Sequence, residues 1–241
     1  MRGKQPGPPP VQHCKRAGFL GVYSLKREIC SRLEIVLITQ FCKGEAIKVN
    51  ILWDFDGTLF DTYPAIVKAV KKLIPDPDVS EEEIMKYMKI SSEAAVEHFG
   101  IDKKFFDENY HALEKQLHPK EKPPFPHVEE VLKAANLNVI VTHKARESTY
   151  EILNYYDLKK YFTEIVTLDD GFRKKPAPDA YQYLHEKYHL DLVIGDREID
   201  LKPARELGIK TCAFQNPDLE ADFHLADYKD FFQVVKMPGK F

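Results

Sequence analysis

Short apolar runs alternate with stretches of helical periodicity along most of this chain. Five apolar runs bounded by turn residues predict buried strands at 49–53, 139–141, 164–167, 192–194 and 210–214. Before each of the last four runs, apolar residues at helical spacing predict helices at 127–135, 146–155, 179–188 and 202–207. Strands that alternate with helices favour a parallel sheet covered on both faces. The pattern therefore predicts an α/β fold with a Rossmann-like three-layer core.

The first two predicted strands are separated by a long segment that contains no convincing strand. Apolar residues recur there at helical spacing from Ile66 to Ile74, and Ser80 with Glu83 has the capping-box pattern that opens a helix. The proline-rich stretch 118–126 closes the segment, because proline cannot continue a helix. We therefore expect a small α-helical insert at 64–122 within a discontinuous core formed by 48–63 and 123–241.

Residues 1–47 differ in composition from the rest of the chain. They begin with a proline-rich stretch and stay basic, with few acidic residues. No small-residue cleavage site follows a proper hydrophobic stretch, so a secretory signal is not expected. We interpret this segment as a disordered or extraneous extension, and we expect its deletion to leave activity unchanged.

Composition excludes several classes of partner. The 241 residues carry a formal net charge of -3, which gives no electrostatic basis for binding nucleic acid. No apolar run approaches the length of a membrane span, so no membrane partner is expected. The four cysteines include no close pair, which is typical of free thiols in a reducing compartment. We therefore expect a cytoplasmic protein.

Candidate chemistry begins with two carboxylates, Asp54 and Asp56, directly after the first predicted strand. Two buried negative charges so close together need a compensating cation, and Mg²⁺ is the natural partner of carboxylate oxygens. Other polar residues follow later strands of the predicted sheet, namely Thr142, His143, Lys175, Asp196 and Asp200. Because the carboxyl ends of parallel strands meet at one edge, we expect these groups to converge. Acids that hold a metal, with a lysine and a hydroxyl for phosphate oxygens, suit phosphoryl transfer.

These residues form four clusters along the chain: 54–58, Thr142, Lys175 with Pro176, and 195–196 with Asp200. In this order the clusters resemble the motifs of the haloacid dehalogenase superfamily in its phosphoglycolate-phosphatase-like branch. The resemblance covers about residues 48 to 216. It implies a Mg²⁺-dependent phosphomonoester hydrolase in which Asp54 is the nucleophile and forms an aspartyl-phosphate, while Asp56 is the general acid and base. It also implies that the helical insert is a mobile cap, with hinges at 60–64 and 119–126.

The resemblance assigns the remaining residues to metal and phosphate binding. Magnesium would be held by Asp54, the backbone carbonyl of Asp56, and Asp196, with Asp200 as an auxiliary ligand. The phosphate-binding residues implied are Gly57, Thr142, His143 and Lys175. Asp200 has a second interpretation, because it could simply cap the helix predicted from Lys202.

The substrate implied is a small phosphorylated metabolite, and phosphoglycolate, a sugar phosphate and a nucleotide monophosphate all stay open. A phosphomutase of the β-phosphoglucomutase type is the second reading, although the stretch 60–64 lacks the histidine that such mutases place there. A non-catalytic partner-binding module is third, and it would predict a lost catalytic acid. The sequence does not decide between a monomer and a homodimer.

Overall fold

The computed structural model describes residues 47–240, so the extension predicted at 1–47 lies outside the described residues except for Ile47. Six strands form one sheet in the order β3-β2-β1-β4-β5-β6. The strands are β1 (Asn50–Trp53), β2 (Leu137–Val141), β3 (Phe162–Val166), β4 (Leu192–Gly195), β5 (Lys210–Phe214) and β6 (Phe223–Leu225). All neighbouring strands run parallel, with Leu52 of β1 opposite Val139 on one side and Val193 on the other. The two central strands are therefore β1 and β4.

The helices fall into two groups along the chain. Four lie between β1 and β2: α1 (Tyr63–Lys71), α2 (Glu81–Ile90), α3 (Ser92–His98) and α4 (Lys103–Gln116). The others alternate with the strands: α5 (Val128–Ala134), α6 (Arg146–Tyr155), α7 (Asp179–Tyr188), α8 (Glu198–Glu206) and the short α9 (Phe231–Val234). Within the described residues, no helix has the length and apolar character needed to cross a bilayer.

Alternation of side chains along the strands builds a core on each face of the sheet. One face buries Ile51 and Trp53 against α5, α6 and α9. The other buries Leu52 and its neighbours against α7 and α8. Trp53 is fully buried, and its indole N–H donates to the Asn138 side-chain oxygen at 2.8 Å. The predicted α/β fold with a three-layer core is therefore confirmed.

The helices between β1 and β2 have a hydrophobic cluster of their own. Its centre includes Ile66, Val70, Ile84 and Phe106, from α1, α2 and α4. Ser80 caps α2 by accepting a hydrogen bond from the Glu83 amide at 3.1 Å, as its sequence pattern indicates. We call the segment that carries α1–α4 the cap.

Element boundaries differ most from the sequence pattern near α8. This helix begins at Glu198 rather than Lys202, because Asp200 accepts a hydrogen bond from the Arg197 amide at 3.2 Å and closes the first turn. Asp200 thus lies inside the helix and helps to cap it from its third position. The edge strand β6 was not predicted, since three residues with His224 in the middle give too short an apolar run.

Candidate active site

Two carboxylates lie at the carboxyl ends of β1 and β4, where the sheet order reverses. Asp54 follows β1, and its amide donates to the Ile194 carbonyl of β4 at 3.0 Å. Asp196 follows β4 directly. Parallel sheets open a crevice at such a reversal, and ligands bind there. Both carboxylates are buried in that crevice, although burial of unpaired charge is costly.

The turn after β1 brings the main chain against this crevice. Gly57 has a φ of +81°, in the left-handed region that glycine adopts without strain. A Cβ at this position would lie 2.7 Å from Asp196 Oδ2 and 2.3 Å from Tyr63 Cε2. Any other residue would therefore both strain the turn and push into the site.

Asp54, Asp196 and Asp200 bring carboxylate oxygens within 4.8 Å of one another. Lys175 lies among them, with its Nζ 2.5 Å from Asp54 Oδ1 and 2.6 Å from Asp200 Oδ1. The Arg197 Nε lies 3.3 Å from Asp200 Oδ2 and 3.9 Å from Asp196 Oδ1. Both oxygens of Asp200 therefore already interact with a cation. We call these five residues the core cluster.

Two carboxylate oxygens of the core cluster have no hydrogen-bond partner among the described residues. Asp54 Oδ2 and Asp196 Oδ2 are buried and have no hydrogen-bond partner among the residues that the structure describes. Buried polar atoms are nearly always paired, so each of these oxygens indicates a missing ligand. Carboxylate oxygens are hard ligands that suit Mg²⁺. The donor set at Asp54 and Asp196 therefore fits a divalent cation, whereas the oxygens of Asp200 are occupied.

Burial dominates the electrostatics of the open carboxylates. It raises the pKa of Asp54 to about 6, with the Asp200 charge adding to the shift. Burial likewise raises the pKa of Asp196 to about 7. Burial also opposes ionisation of Asp200, but the Arg197 and Lys175 charges outweigh it and lower the pKa of that carboxyl to about 2. The neighbouring cations thus keep Asp200 ionised, while too little positive charge lies near Asp54 and Asp196 to offset the effect of burial on their pKa values.

The residues after β2 reach the same edge of the sheet. Thr142 Oγ1 accepts a hydrogen bond from the Lys144 amide at 3.1 Å. His143 Nε2 accepts one from the Lys175 amide at 2.7 Å. Burial, followed by the Lys175 charge, lowers the pKa of His143 to about 3, so the ring is neutral and can act as that acceptor. The structure therefore places His143 as a support for the loop that carries Lys175.

Comparison with known proteins places this arrangement in a family. The family model for haloacid dehalogenase-like hydrolases matches residues 51–214, which include all the predicted site residues. The chain belongs to that family. A phosphoglycolate phosphatase from Aquifex aeolicus is 31% identical over 176 residues, 67% of this chain and 82% of that protein. A pyrophosphatase PpaX from Bacillus cereus is 28% identical over 208 residues, 79% of this chain and 94% of its own length.

A solved structure supports the same fold for this haloacid dehalogenase-like hydrolase. The crystal structure of a predicted phosphoglycolate phosphatase from Haemophilus somnus aligns with a TM-score of 0.66 at 21% identity. The alignment covers 77% of this chain and 97% of that one. This alignment shows the same fold, while the Aquifex aeolicus relative confirms the resemblance found in the sequence to the phosphoglycolate-phosphatase-like branch.

The cap of this hydrolase faces the core across a cleft of about 110 Å³. The cleft is lined from the core by Asp56, Thr142, His143, Lys144 and Arg197, and from the cap by Ile66, Met88, Ser92, Tyr110, His111 and Glu114. Lys144 Nζ lies 2.8 Å from Glu114 Oε1 of α4 and 3.2 Å from Asp56 Oδ1. The latter contact is an ion pair without the alignment of a hydrogen bond. Asp56 therefore reaches the cleft beside a buried cation.

Sequence reasoning missed three charged residues of this site. Arg197 was not among the predicted site residues, yet its side chain is only 14% exposed, whereas Glu198 next to it is exposed. Lys144 follows the Thr142-His143 pair directly and offered a positional signal, since it lies at the same strand end. Glu114 offered none, because it lies on a helix with many charged residues.

Proposed function

We propose that this hydrolase cleaves phosphate monoesters with the aid of Mg²⁺, through an aspartyl-phosphate formed on Asp54. The two open oxygens of the core cluster carry the proposal. Lys175 holds Asp54 Oδ1, so Asp54 Oδ2 is free both to contact a cation and to approach phosphorus. A fixed, ionised carboxylate is the nucleophile that a covalent phosphoryl intermediate requires.

Asp54 and Asp196 would hold the metal, together with the backbone carbonyl of Asp56. When bound, Mg²⁺ would neutralise the negative charge that develops on the transferred phosphoryl group. Asp200 acts differently from an auxiliary metal ligand in this proposal. With its oxygens engaged by Lys175 and Arg197, it keeps the lysine aligned on Asp54.

Proton transfer falls to Asp56, whose side chain reaches the cleft. Asp54 would attack phosphorus, and the leaving alkoxide oxygen would take a proton from the Asp56 carboxyl group. A water molecule would then attack the aspartyl-phosphate and return a proton to Asp56, which releases inorganic phosphate and regenerates Asp54. Such positioned general acid and base catalysis contributes about 10²–10⁴ in rate.

The phosphate oxygens would be held by groups that still have a hydrogen to donate. The Thr142 hydroxyl oxygen accepts from the Lys144 amide, so its own hydrogen is available. Lys175 has three N–H donors, and two of them face Asp54 and Asp200. The third would bind the phosphate, beside the main chain at Gly57. His143 would contribute mainly by holding the Lys175 amide.

The proposed substrate is a small phosphorylated metabolite: phosphoglycolate is the first candidate, and pyrophosphate, a phosphoanhydride rather than a monoester, is the second. These are the compounds named for the relatives from Aquifex aeolicus and Bacillus cereus. The modest volume of the cleft, about 110 Å³, favours a small molecule over a nucleotide.

The mutase reading ranks lower because 60–64 contains no histidine, and a purely binding role ranks below it because both Asp54 and Asp56 are present. A cytoplasmic location stays a prediction.

The test is phosphate release from phosphoglycolate, pyrophosphate, sugar phosphates and nucleotide monophosphates, each with and without Mg²⁺. We expect Mg²⁺-dependent release by the wild type and none by Asp54→Asn. The matched control is Asp218→Asn, the same chemical change at an exposed position, which should leave turnover unchanged. Turnover retained by Asp54→Asn would remove that residue as the nucleophile. No release from any compound would contradict the proposed activity.

A further inference from the structure

A buried run of charged groups connects the cap to Asp56. Glu114 lies on α4, and its side chain is only 5% exposed. Its Oε1 lies 2.8 Å from the Nζ of Lys144, which is 3% exposed and lies 3.2 Å from Asp56 Oδ1. Lys144 therefore touches a cap carboxylate and the proposed acid-base carboxylate at the same time.

Glu114 is held in this place by further groups. Lys122, in the linker that follows α4, lies 3.3 Å from Glu114 Oε1. The Ser148 hydroxyl of α6 lies 2.9 Å from both carboxylate oxygens. Burial opposes ionisation of Glu114, but the Lys144 and Lys122 charges outweigh it and lower its pKa to about 2. The carboxylate is thus ionised when α4 is docked against the core.

A buried ion pair is not an efficient way to attach one domain to another. Its desolvation cost offsets most of the attraction, and an apolar contact of the same shape would often be as stable. The position of these charges is better explained by what they touch. Lys144 is not aligned as a hydrogen-bond donor to Asp56, so it fixes the surroundings of that carboxyl without engaging it fully.

We propose that Glu114, acting through Lys144, positions the Asp56 carboxyl group for proton transfer to the leaving group when the cap is docked. Glu114 draws the Lys144 ammonium toward the cap and limits how closely it pairs with Asp56. Without Glu114, Lys144 would turn the Asp56 carboxyl group toward itself, and without Lys144 that group would lose its contact on the cap side. Both are positioning residues, and the inference rests on the proposed function of Asp56.

The test uses the leaving group as a probe of proton donation. An alkyl phosphate such as phosphoglycolate needs a proton on its leaving oxygen, whereas p-nitrophenyl phosphate has a stable leaving group and needs much less help. We would compare kcat/KM with Mg²⁺ for both esters in Glu114→Gln, Lys144→Met and the double variant. The matched control is Lys115→Met, which removes an exposed cap–core ion pair to Glu147 from the next position of α4.

We expect Glu114→Gln and Lys144→Met to lower kcat/KM for phosphoglycolate by about ten- to hundredfold, with a much smaller change for p-nitrophenyl phosphate. The double variant should lose little more than either single one, because the two residues act through one contact. Lys115→Met should leave both values unchanged.

An equal loss for both esters would overturn the inference, because it would show that the contact only holds the cap in place. No loss for either ester would overturn it as well.

Circular dichroism would report whether each variant folds. If Lys144→Met does not fold, Ser148→Ala takes its place, since it removes a hydrogen-bond donor to Glu114 without removing a charge. It should lower kcat/KM for phosphoglycolate more than for p-nitrophenyl phosphate, by a smaller factor than Glu114→Gln. A wild type inactive on all esters would instead contradict the proposed function, and the inference with it.

Discussion

The two buried groups of charges on either side of the cleft differ in balance. In the core cluster, three carboxylates face two cations, and two carboxylate oxygens have no partner within residues 47–240. On the cap side, two carboxylates face two lysines. We call that second group the cap-side cluster, formed by Asp56, Glu114, Lys122 and Lys144. The core cluster therefore has one carboxylate more than it has cations, whereas the cap-side cluster has equal numbers of the two.

The two clusters also differ in what holds them. Asp54, Asp196 and Arg197 follow strands of the sheet, Asp200 lies in the first turn of α8, and Lys175 lies in the loop between β3 and α7, so all five belong to the core. The cap-side cluster exists only while α4 and the linker after it lie against the core. We therefore expect the core cluster to keep its arrangement whether or not the cap is docked, and the cap-side cluster to form only when the cap is docked.

The strongest way to break the core cluster is Lys175→Met. The change leaves Asp54 and Asp200 facing each other in a buried site with Arg197 as the remaining cation. Removing one partner of a buried ion pair costs about 3–5 kcal/mol, so urea unfolding should show a loss of that order. Phosphate release should also fall below detection. A variant that keeps wild-type stability would show that the lysine is not needed to balance these charges.

Asp196→Asn should sharpen the claim that the core cluster lacks a cation. Without Mg²⁺ the variant should unfold at the same temperature as the wild type or higher, because one buried like charge is removed. Added Mg²⁺ should raise the unfolding temperature of the wild type and not that of the variant, since a bound ligand stabilises only the state it binds. An equal Mg²⁺ response in both proteins would place the metal elsewhere.

Lys122→Met breaks the cap-side cluster at a point remote from Asp56. Glu114 keeps Lys144 and Ser148 as partners, so the loss in unfolding free energy should be about 1–3 kcal/mol. Because this cluster is balanced without metal, the loss should be the same with and without Mg²⁺. The measurement is urea unfolding under both conditions, and a loss that Mg²⁺ repairs would contradict the separation of the two clusters.

The smallest effect expected is a pH dependence of stabilisation by Mg²⁺. Folding raises the pKa of Asp54 to about 6 and of Asp196 to about 7, above the ordinary value of 3.8. Their contribution to stability is therefore fully present below about pH 4 and is lost as pH rises through both values. Mg²⁺ binds the ionised carboxylates, so its effect on the unfolding temperature should be larger at about pH 8 than at about pH 5.5. A constant effect across this range would argue against metal binding by these two groups.

Much of the core could be predicted because strand ends converge. Asp54, Lys175 and Asp196 are far apart in sequence, yet the parallel sheet brings them to one edge, as the pattern indicated. The contacts of Glu114 could not be predicted, because they depend on how α4 docks rather than on any local pattern. Arg197 was missed because an arginine beside a glutamate normally indicates a solvated face. The roles of the site residues stay predictions until they are measured.

Trp53 has a practical consequence. It is the one tryptophan in the sequence, and it ends β1 immediately before Asp54. Its indole is fully buried, donates to Asn138 and lies 5.7 Å from the Tyr228 ring. Light absorbed selectively by tryptophan would therefore be emitted from a single place, next to the crevice. The protein contains a natural fluorophore through which the binding of a cation or a phosphate analogue can be followed in real time, without any label.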